Sequence, residues 1–426
     1  MSVFLFALAV LAVPLVEPAS AAGATITVNT VTDASVAGKC SLRSALQASD
    51  TNSAVEGCHK GSSSGADTIV FAPATNGHPF NLAAGLDVDS PIILKGNGRS
   101  KTVIKNFEFD AIFGAHPATF EHMTLVDVNN EDATVNVIDV KATSEMNNNS
   151  TSGESSIMHI SNSTFPGVTN NSGTDNTSLS TLTITKSTVT DLIDNNSGSG
   201  SKSHLTVTSS KTGEIDNNSG FSDGSATTAT IKNTSITGTG SGFGVDVESN
   251  GTTALISGTT ISKFDTGVMA GGKSTKILNS TITGSTTSTV ENESGATTIV
   301  NSTLTTGFTG ILRTAGSVKA TNTIIAAQKG KNCNGAVASG GGNISDDATC
   351  HFAKPHDHNS KNPKLGTLGA HGGATKTFLP LAGSPAIDGG LNAPCPATDQ
   401  RGKKRPQDGD GNGSKICDVG SVEVVP

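Results

Sequence analysis

The sequence predicts an all-β fold, a right-handed parallel β-helix, and three observations carry that expectation. A six-residue phrase returns along the middle of the chain, running apolar, any, Asn or small polar, two small polar residues, apolar. Its copies include Ile160-Ser-Asn162-Ser-Thr-Phe165, Ile184-Thr-Lys186-Ser-Thr-Val189, Ile231-Lys-Asn233-Thr-Ser-Ile236 and Ile256-Ser-Gly258-Thr-Thr-Ile261. It continues as Ile277-Leu-Asn279-Ser-Thr-Ile282, Ile299-Val-Asn301-Ser-Thr-Leu304 and Ala320-Thr-Asn322-Thr-Ile324-Ile325. With a degenerate copy at Val207-Thr-Ser209, the third positions are spaced by 24, 23, 24, 25, 21, 22 and 21 residues. The residues between copies are Thr, Val, Ile, Ser, Asn and Gly, which favour short strands and tight bends over helix. Finally, only 15% of the chain is charged, as suits coils that stack like residues on like.

A repeat of this length is too short for a domain and long enough for one turn of a solenoid. About 22 residues at 3.3 Å each give a contour near 73 Å, enough for three short sides of a coil. Coils stacked about 4.8 Å apart make each side a parallel sheet. The phrase then reads as two strands meeting at a corner. Its apolar residues point inward, and Asn or Gly supplies the left-handed backbone of the bend. Stacked corners are expected to place Asn above Asn, with amides bonded along the axis. The opposing reading is a disordered Ser/Thr/Asn/Gly tract over residues 147–309. Composition weighs against it. The 34% hydrophobic content and 49 glycines together reach the globular norm of about 45%, and the β-branched residues hold register. Residues 144–154 and 195–203 are expected to bulge out as loops.

Residues 3–16 are almost wholly apolar, and Ala19-Ser20-Ala21 offers small residues for cleavage before Ala22. Residues 1–21 therefore read as a secretory signal peptide, too short for a bilayer core of about 30 Å; no later stretch reads as a membrane span. The six cysteines form three local pairs, Cys40 with Cys58, Cys333 with Cys350, and Cys395 with Cys417. In an exported chain these read as disulfides outside the repeats. Each is worth about 2–4 kcal/mol in the chain-entropy model. The net charge of −8, without a basic patch or aromatic platform, argues against nucleic acid as a partner. Lys403-Lys404-Arg405 is the densest basic run and reads as a solvated turn. The chain has no Trp and no Tyr, the rings on which sugar sites commonly stack their ligands.

Both ends of a β-helix need covers for their exposed sheet edges. At the front, strands at Thr25-Ile-Thr-Val-Asn29 and Asp67-Thr-Ile-Val-Phe71 flank a short amphipathic helix over 41–48, with Ser41 as N-cap. The segment Cys40-Ser-Leu-Arg-Ser-Ala-Leu46 resembles the motif of the CSLREA domain of exported bacterial β-helix proteins. Ser44 and Leu46 stand where that motif has Glu and Ile. At the back, Asn332-Cys333-Asn-Gly335, Gly342-Asn343 through Cys350, Pro363-Lys-Leu-Gly366 and Gly383-Ser-Pro-Ala-Ile-Asp388 stand in order. Thr398-Asp-Gln-Arg-Gly402, Arg405-Pro-Gln-Asp-Gly-Asp-Gly-Asn-Gly413 and Cys417-Asp-Val-Gly-Ser-Val-Glu423 follow. This series resembles the choice-of-anchor domain that ends many bacterial surface proteins. The resemblance implies export to the cell surface and the β-helix architecture, and is nearly silent on activity. The expected organisation is a cap with first coils over 22–105, central repeats over 106–320, and C-terminal coils and cap over 321–426.

Four groups are candidates for chemistry. Asp408, Asp410 and Asn412 alternate ahead of Gly413, as at the start of a calcium loop, although the twelfth position is Val419. The alternative is a polar turn closed by Asx bonds. His351, His356, Asp357, His358 and His371 could bind zinc, but no helix or strand fixes them and a solvated loop is the favoured reading. Asp194-Asn-Asn-Ser-Gly198 and Asp216-Asn-Asn-Ser-Gly220 lie 22 residues apart, so stacking sets Asp194 over Asp216, near Asp191 and Glu214. Such a pair can act as acid and base on a glycosidic bond or hold a cation, or be a repeated corner facing water. The Asn-x-Ser/Thr triplets at Asn162, Asn233, Asn279 and Asn301 are produced by the corner phrase itself.

Two functions follow. The preferred one is a non-catalytic, secreted or surface-displayed rod in adhesion, display or envelope structure, meeting an extracellular glycan or protein, with calcium as its possible cofactor. The alternative is a polysaccharide lyase or glycoside hydrolase, because pectate-lyase-like enzymes use this architecture. A lyase needs Asp and Glu for Ca²⁺ beside an Arg or Lys base. Residues 155–309 hold scattered acids, few Lys and no Arg, so no catalytic residue is assigned and Asp194 and Asp216 stay candidates only.

Overall fold

The computed structural model describes residues 23–106, 108–110, 116–151, 153–174, 177–219 and 224–425. The signal-peptide reading and its cleavage at Ala21 and Ala22 lie outside them. The chain is a parallel β-solenoid. Among the described residues, 23 strands form one sheet that turns through a corner, and 10 form a second. Every pairing between named strands is parallel, and one coil follows the next from Thr25–Val28 to Ala338–Ser339.

The repeated phrase sets both the core and the corner. Its leading apolar residue falls in one register column, Ile160, Ile184, Val207, Ile231, Ile256, Ile277, Ile299 and Ala320, which Val137 of the preceding coil extends, all buried. Each large member contributes about 1.5–3 kcal/mol by leaving water. The third position is left-handed in all eight copies, with φ between 43° at Asn279 and 63° at Gly258. That conformation tolerates Asn, Gly, Lys and Ser and resists a β-branched residue, which explains the variation allowed there. The fourth position is always a hydroxyl. Ser163 Oγ donates to Ser161 O at 2.8 Å and accepts Val140 N–H from the preceding coil at 3.1 Å. The same linkage joins Ser163 N to Ser187 and Ser280 N to Ser302.

The asparagine stack forms, but on another strand than expected. Asn130, Asn148, Asn170, Asn195 and Asn217 are wholly buried on the inner side of the ten-stranded sheet. Each Nδ2 donates to the next Oδ1, at 2.7, 2.6, 2.6 and 2.7 Å. Of the segments expected to bulge out, 144–154 contains the strand Met146–Ser150, and 195–203 overlaps the strands Ile193–Ser197 and Lys202–Thr208. Their Asn-rich sequences read as loops because an isolated buried amide is costly. A continuous row pairs each amide with its neighbours, so that cost is offset.

The front is covered as expected. A helix, α1 (Leu42–Thr51), starts at Ser41, whose Oγ accepts from Ser44 N at 3.1 Å, and ends at left-handed Asn52. Leu42, Ala45, Leu46 and Ala48 face inward. All three cysteine pairs are bonded, Cys40–Cys58, Cys333–Cys350 and Cys395–Cys417.

The back differs from a simple end cap. Segment 357–361 closes the last coil, with His358 and Lys361 bonded to the backbone of Asn343 and Ser345. The remainder returns along the flank of the rod, over four successive corners. Thr375 Oγ1 donates to Gly258 O at 2.9 Å, and Asn279 Nδ2 to Thr398 O at 2.7 Å. Asn301 Nδ2 donates to Asp418 O at 3.0 Å, and Asn322 Nδ2 to Leu391 O at 2.8 Å. Corner asparagines here hold this strap, and only Asn322 and Asn301 also touch each other, at 3.3 Å. The covered strands Thr281–Thr283 and Thr303–Thr305 are buried on both faces.

Candidate functional site

Arg405 departs most from its expected setting. Lys403 and Lys404 are exposed, but the Arg405 side chain is fully buried. Its guanidinium donates to Asp418 O at 2.9 Å and Gly420 O at 2.8 Å, and lies 3.3 Å from Glu423 Oε2. Three adjacent cations read as a solvated turn; the strap instead buries the one whose planar fork can satisfy several acceptors. Burial and the neighbouring Glu423 push the Asp418 carboxyl up to about 7.

The calcium-like loop is rebuilt by a residue from elsewhere. Asp388, Asp408 and Asp410 bring carboxylate oxygens within 4.8 Å of one another, and Asn412 Nδ2 donates to Asp410 Oδ2 at 2.9 Å while its Oδ1 accepts from Ser414 N at 2.9 Å. Asp388 accepts from Gly409 N and Asp410 N, which pins the loop. Asp408 Oδ1 has no partner. Burial and the charges of Asp410 and Asp408 raise the Asp388 pKa. Asp418, one place before the twelfth loop position, accepts from Asp388 N and Val424 N and belongs to the strap. Hard oxygen donors of this kind suit calcium. Asp388 was missed because it stands in the separate Gly383-Ser-Pro-Ala-Ile-Asp388 motif. The histidine loop does not converge. Asp357 accepts from Ser339, Asn343 and Lys354, and His371 Nδ1 pairs with Thr377 Oγ1.

The third group lies on the outer side of the ten-stranded sheet. Parallel register sets Asp194 beside Asp216 and Asp216 beside Asp246. Two residues further on, Asn196, Asn218 and Glu248 form a neighbouring column on the same face. These residues occupy strands, where one alternative expected a corner. Asp246 was missed because its coil is longer, which places it 30 residues after Asp216 instead of 22. Burial, then Glu248, Asp216, Glu214 and Glu293, push Asp246 up to about 8. Burial, then Asp194, Glu214 and Glu248, push Asp216 up to about 6. Burial also raises Asp194 and Glu214.

The sign of the resulting pH dependence is fixed. Between the ordinary aspartate value of 3.8 and these raised values, the folded state holds more protons than the unfolded one. Stability therefore falls as pH rises from about 4 to about 8. In chelator, Asp246→Asn is expected to raise the melting temperature at pH 8.5 by about 2–4 °C and to flatten its pH profile. Thermal melts followed by circular dichroism across pH 5–9 test this, and parallel parent and variant profiles would refute it.

Fold and sites together define a disulfide-bonded parallel β-solenoid with an acid stack on one sheet and a strapped C-terminal flank. Comparison with protein-family models, curated proteins and solved structures returns no match. Among the described residues, no helix is long and apolar enough to cross a membrane.

Proposed function

We propose that the chain is a non-catalytic, exported bacterial rod that acts at the cell surface, in adhesion, display or envelope structure, toward an extracellular glycan or protein. The CSLREA-like front and choice-of-anchor-like back are part of that reading. The observation that carries it is the use made of the C-terminal motif residues. Gln400, Arg405, Asp418 and Glu423 are buried and bonded to the strap or to the coils beneath, so the ordered motifs serve to fasten the rod. Calcium held by Asp388, Asp408 and Asp410 completes this fastening.

Two experiments test the reading. Millimolar calcium is expected to protect residues 386–424 of the full chain from limited proteolysis, and Asp388→Asn with Asp410→Asn to remove that protection. Equal cleavage with and without calcium would refute calcium at this loop. The purified chain should bind within a panel of glycans, host proteins and whole cells while turning over no polysaccharide. Reproducible release of unsaturated or reducing ends, lost in Asp194→Asn/Asp216→Asn, would establish the lyase or hydrolase alternative.

A further inference from the structure

The outer face of the ten-stranded sheet carries a second group of oxygen donors, remote in sequence from the C-terminal loop. Asp216 and Asp246 are register partners, as are Asn218 and Glu248. They occupy the corners of a patch about 4.8 Å across the strands and about 6.6 Å along them. Asp194 and Asn196 extend it by one coil, and Glu214 flanks it. The patch is unusual in its unmet bonding. Asp246 is only 6% exposed, and its Oδ1 has no hydrogen-bond partner. The Oδ1 atoms of Asp194, Asp216 and Asn218 are likewise buried and unpartnered. The asparagine row on the inner side of the same sheet contrasts with it, being bonded from rung to rung between Asn130 and Asn217.

Charge points the same way. The groups acting on Asp246 are Glu248, Asp216, Glu214 and Glu293, all acids. None of the ion pairs among the described residues involves this patch. An unpartnered buried acceptor is destabilising, and adjacent carboxylates add repulsion. A proton quenches one carboxylate and satisfies one acceptor. A hard divalent cation can neutralise two carboxylates and accept several oxygens, side-chain and water, at once. Zinc prefers nitrogen and sulfur donors, which this patch lacks. Magnesium demands near-ideal octahedral geometry, which a flat sheet face does not impose, whereas calcium accepts six to eight oxygens in flexible arrangement, water included.

We propose that Asp216 and Asp246, with Asn218 and Glu248, form a calcium-class divalent-cation site on the outer sheet face, bridging two successive coils. The site is independent of the C-terminal loop, and its test removes that loop's contribution. The full chain carrying Asp388→Asn and Asp410→Asn is titrated with CaCl₂ by calorimetry at pH 7.5, and its melting temperature is followed with and without calcium. One binding event is expected, with a Kd of about 10⁻⁴–10⁻³ M, as in extracellular calcium modules, together with a calcium-dependent rise in melting temperature. Adding Asp246→Asn, an isosteric change, should weaken binding by at least about tenfold, and Asp216→Asn with Asp246→Asn should abolish both effects. Circular dichroism of each variant in chelator establishes that the solenoid is intact. Calcium binding unchanged by these substitutions would overturn the proposal. So would the absence of binding with a melting temperature that Asp246→Asn raises equally in calcium and in chelator, because the carboxylates would then hold protons. Failure of the C-terminal loop to bind is read separately, from parent against the Asp388→Asn/Asp410→Asn chain.

Discussion

Arg405→Met is expected to destabilise the strap by about 3–5 kcal/mol while leaving the central coils folded. The substitution leaves Glu423 and Asp418 buried beside each other without their counter-charge. It also removes the donors to Asp418 O and Gly420 O. Hydrogen exchange should show rapid labelling across residues 386–425 and unchanged protection in the strands from Ser155–Ser161 to Ala226–Lys232. The defect should be greatest above about pH 7, where Asp418 must ionise, and should ease as pH falls and the acids take up protons. Adding Glu423→Gln should recover part of the loss, because the pair is coupled. Uniform labelling of the whole rod, or none, would contradict the assignment.

Asn170→Ala is the second large effect, expected to cost about 2–5 kcal/mol. Asn170 accepts from Asn148 at 2.6 Å and donates to Asn195 at 2.6 Å, so its loss strands a donor on one side and an acceptor on the other. An exposed outward residue of the same strand, Asn171, serves as the control, and Asn171→Ala should change stability by less than about 0.5 kcal/mol. Urea unfolding of the two variants decides the matter. Equal midpoints would mean that the buried row contributes nothing particular.

The corner was legible in the sequence because its physics is local. A left-handed residue between two inward apolar residues leaves a mark at each of 162, 186, 209, 233, 258, 279, 301 and 322, whatever lies around it. The front helix was legible for the same reason, through Ser41 and its apolar face. The strap was not, since the partners of Asn279, Asn301 and Asn322 lie more than 60 residues away. The buried asparagine row was missed because a single Asn-rich segment looks like surface, and only the stack reveals that each amide has a neighbour. The stacking of Asp194 on Asp216 followed from equal spacing, but a longer coil hid Asp246 and a separate motif hid Asp388.

The strap also decides how the rod carries a load. In a bare solenoid, tension on the last residue falls on the final coil and peels the ladder one strand at a time. Here the terminal segment is fastened to corners 258, 279, 301 and 322, and Cys395–Cys417 ties two of its stretches together. A pull at Val425 must thus break the strap's own attachments to these corners before it reaches the final coil.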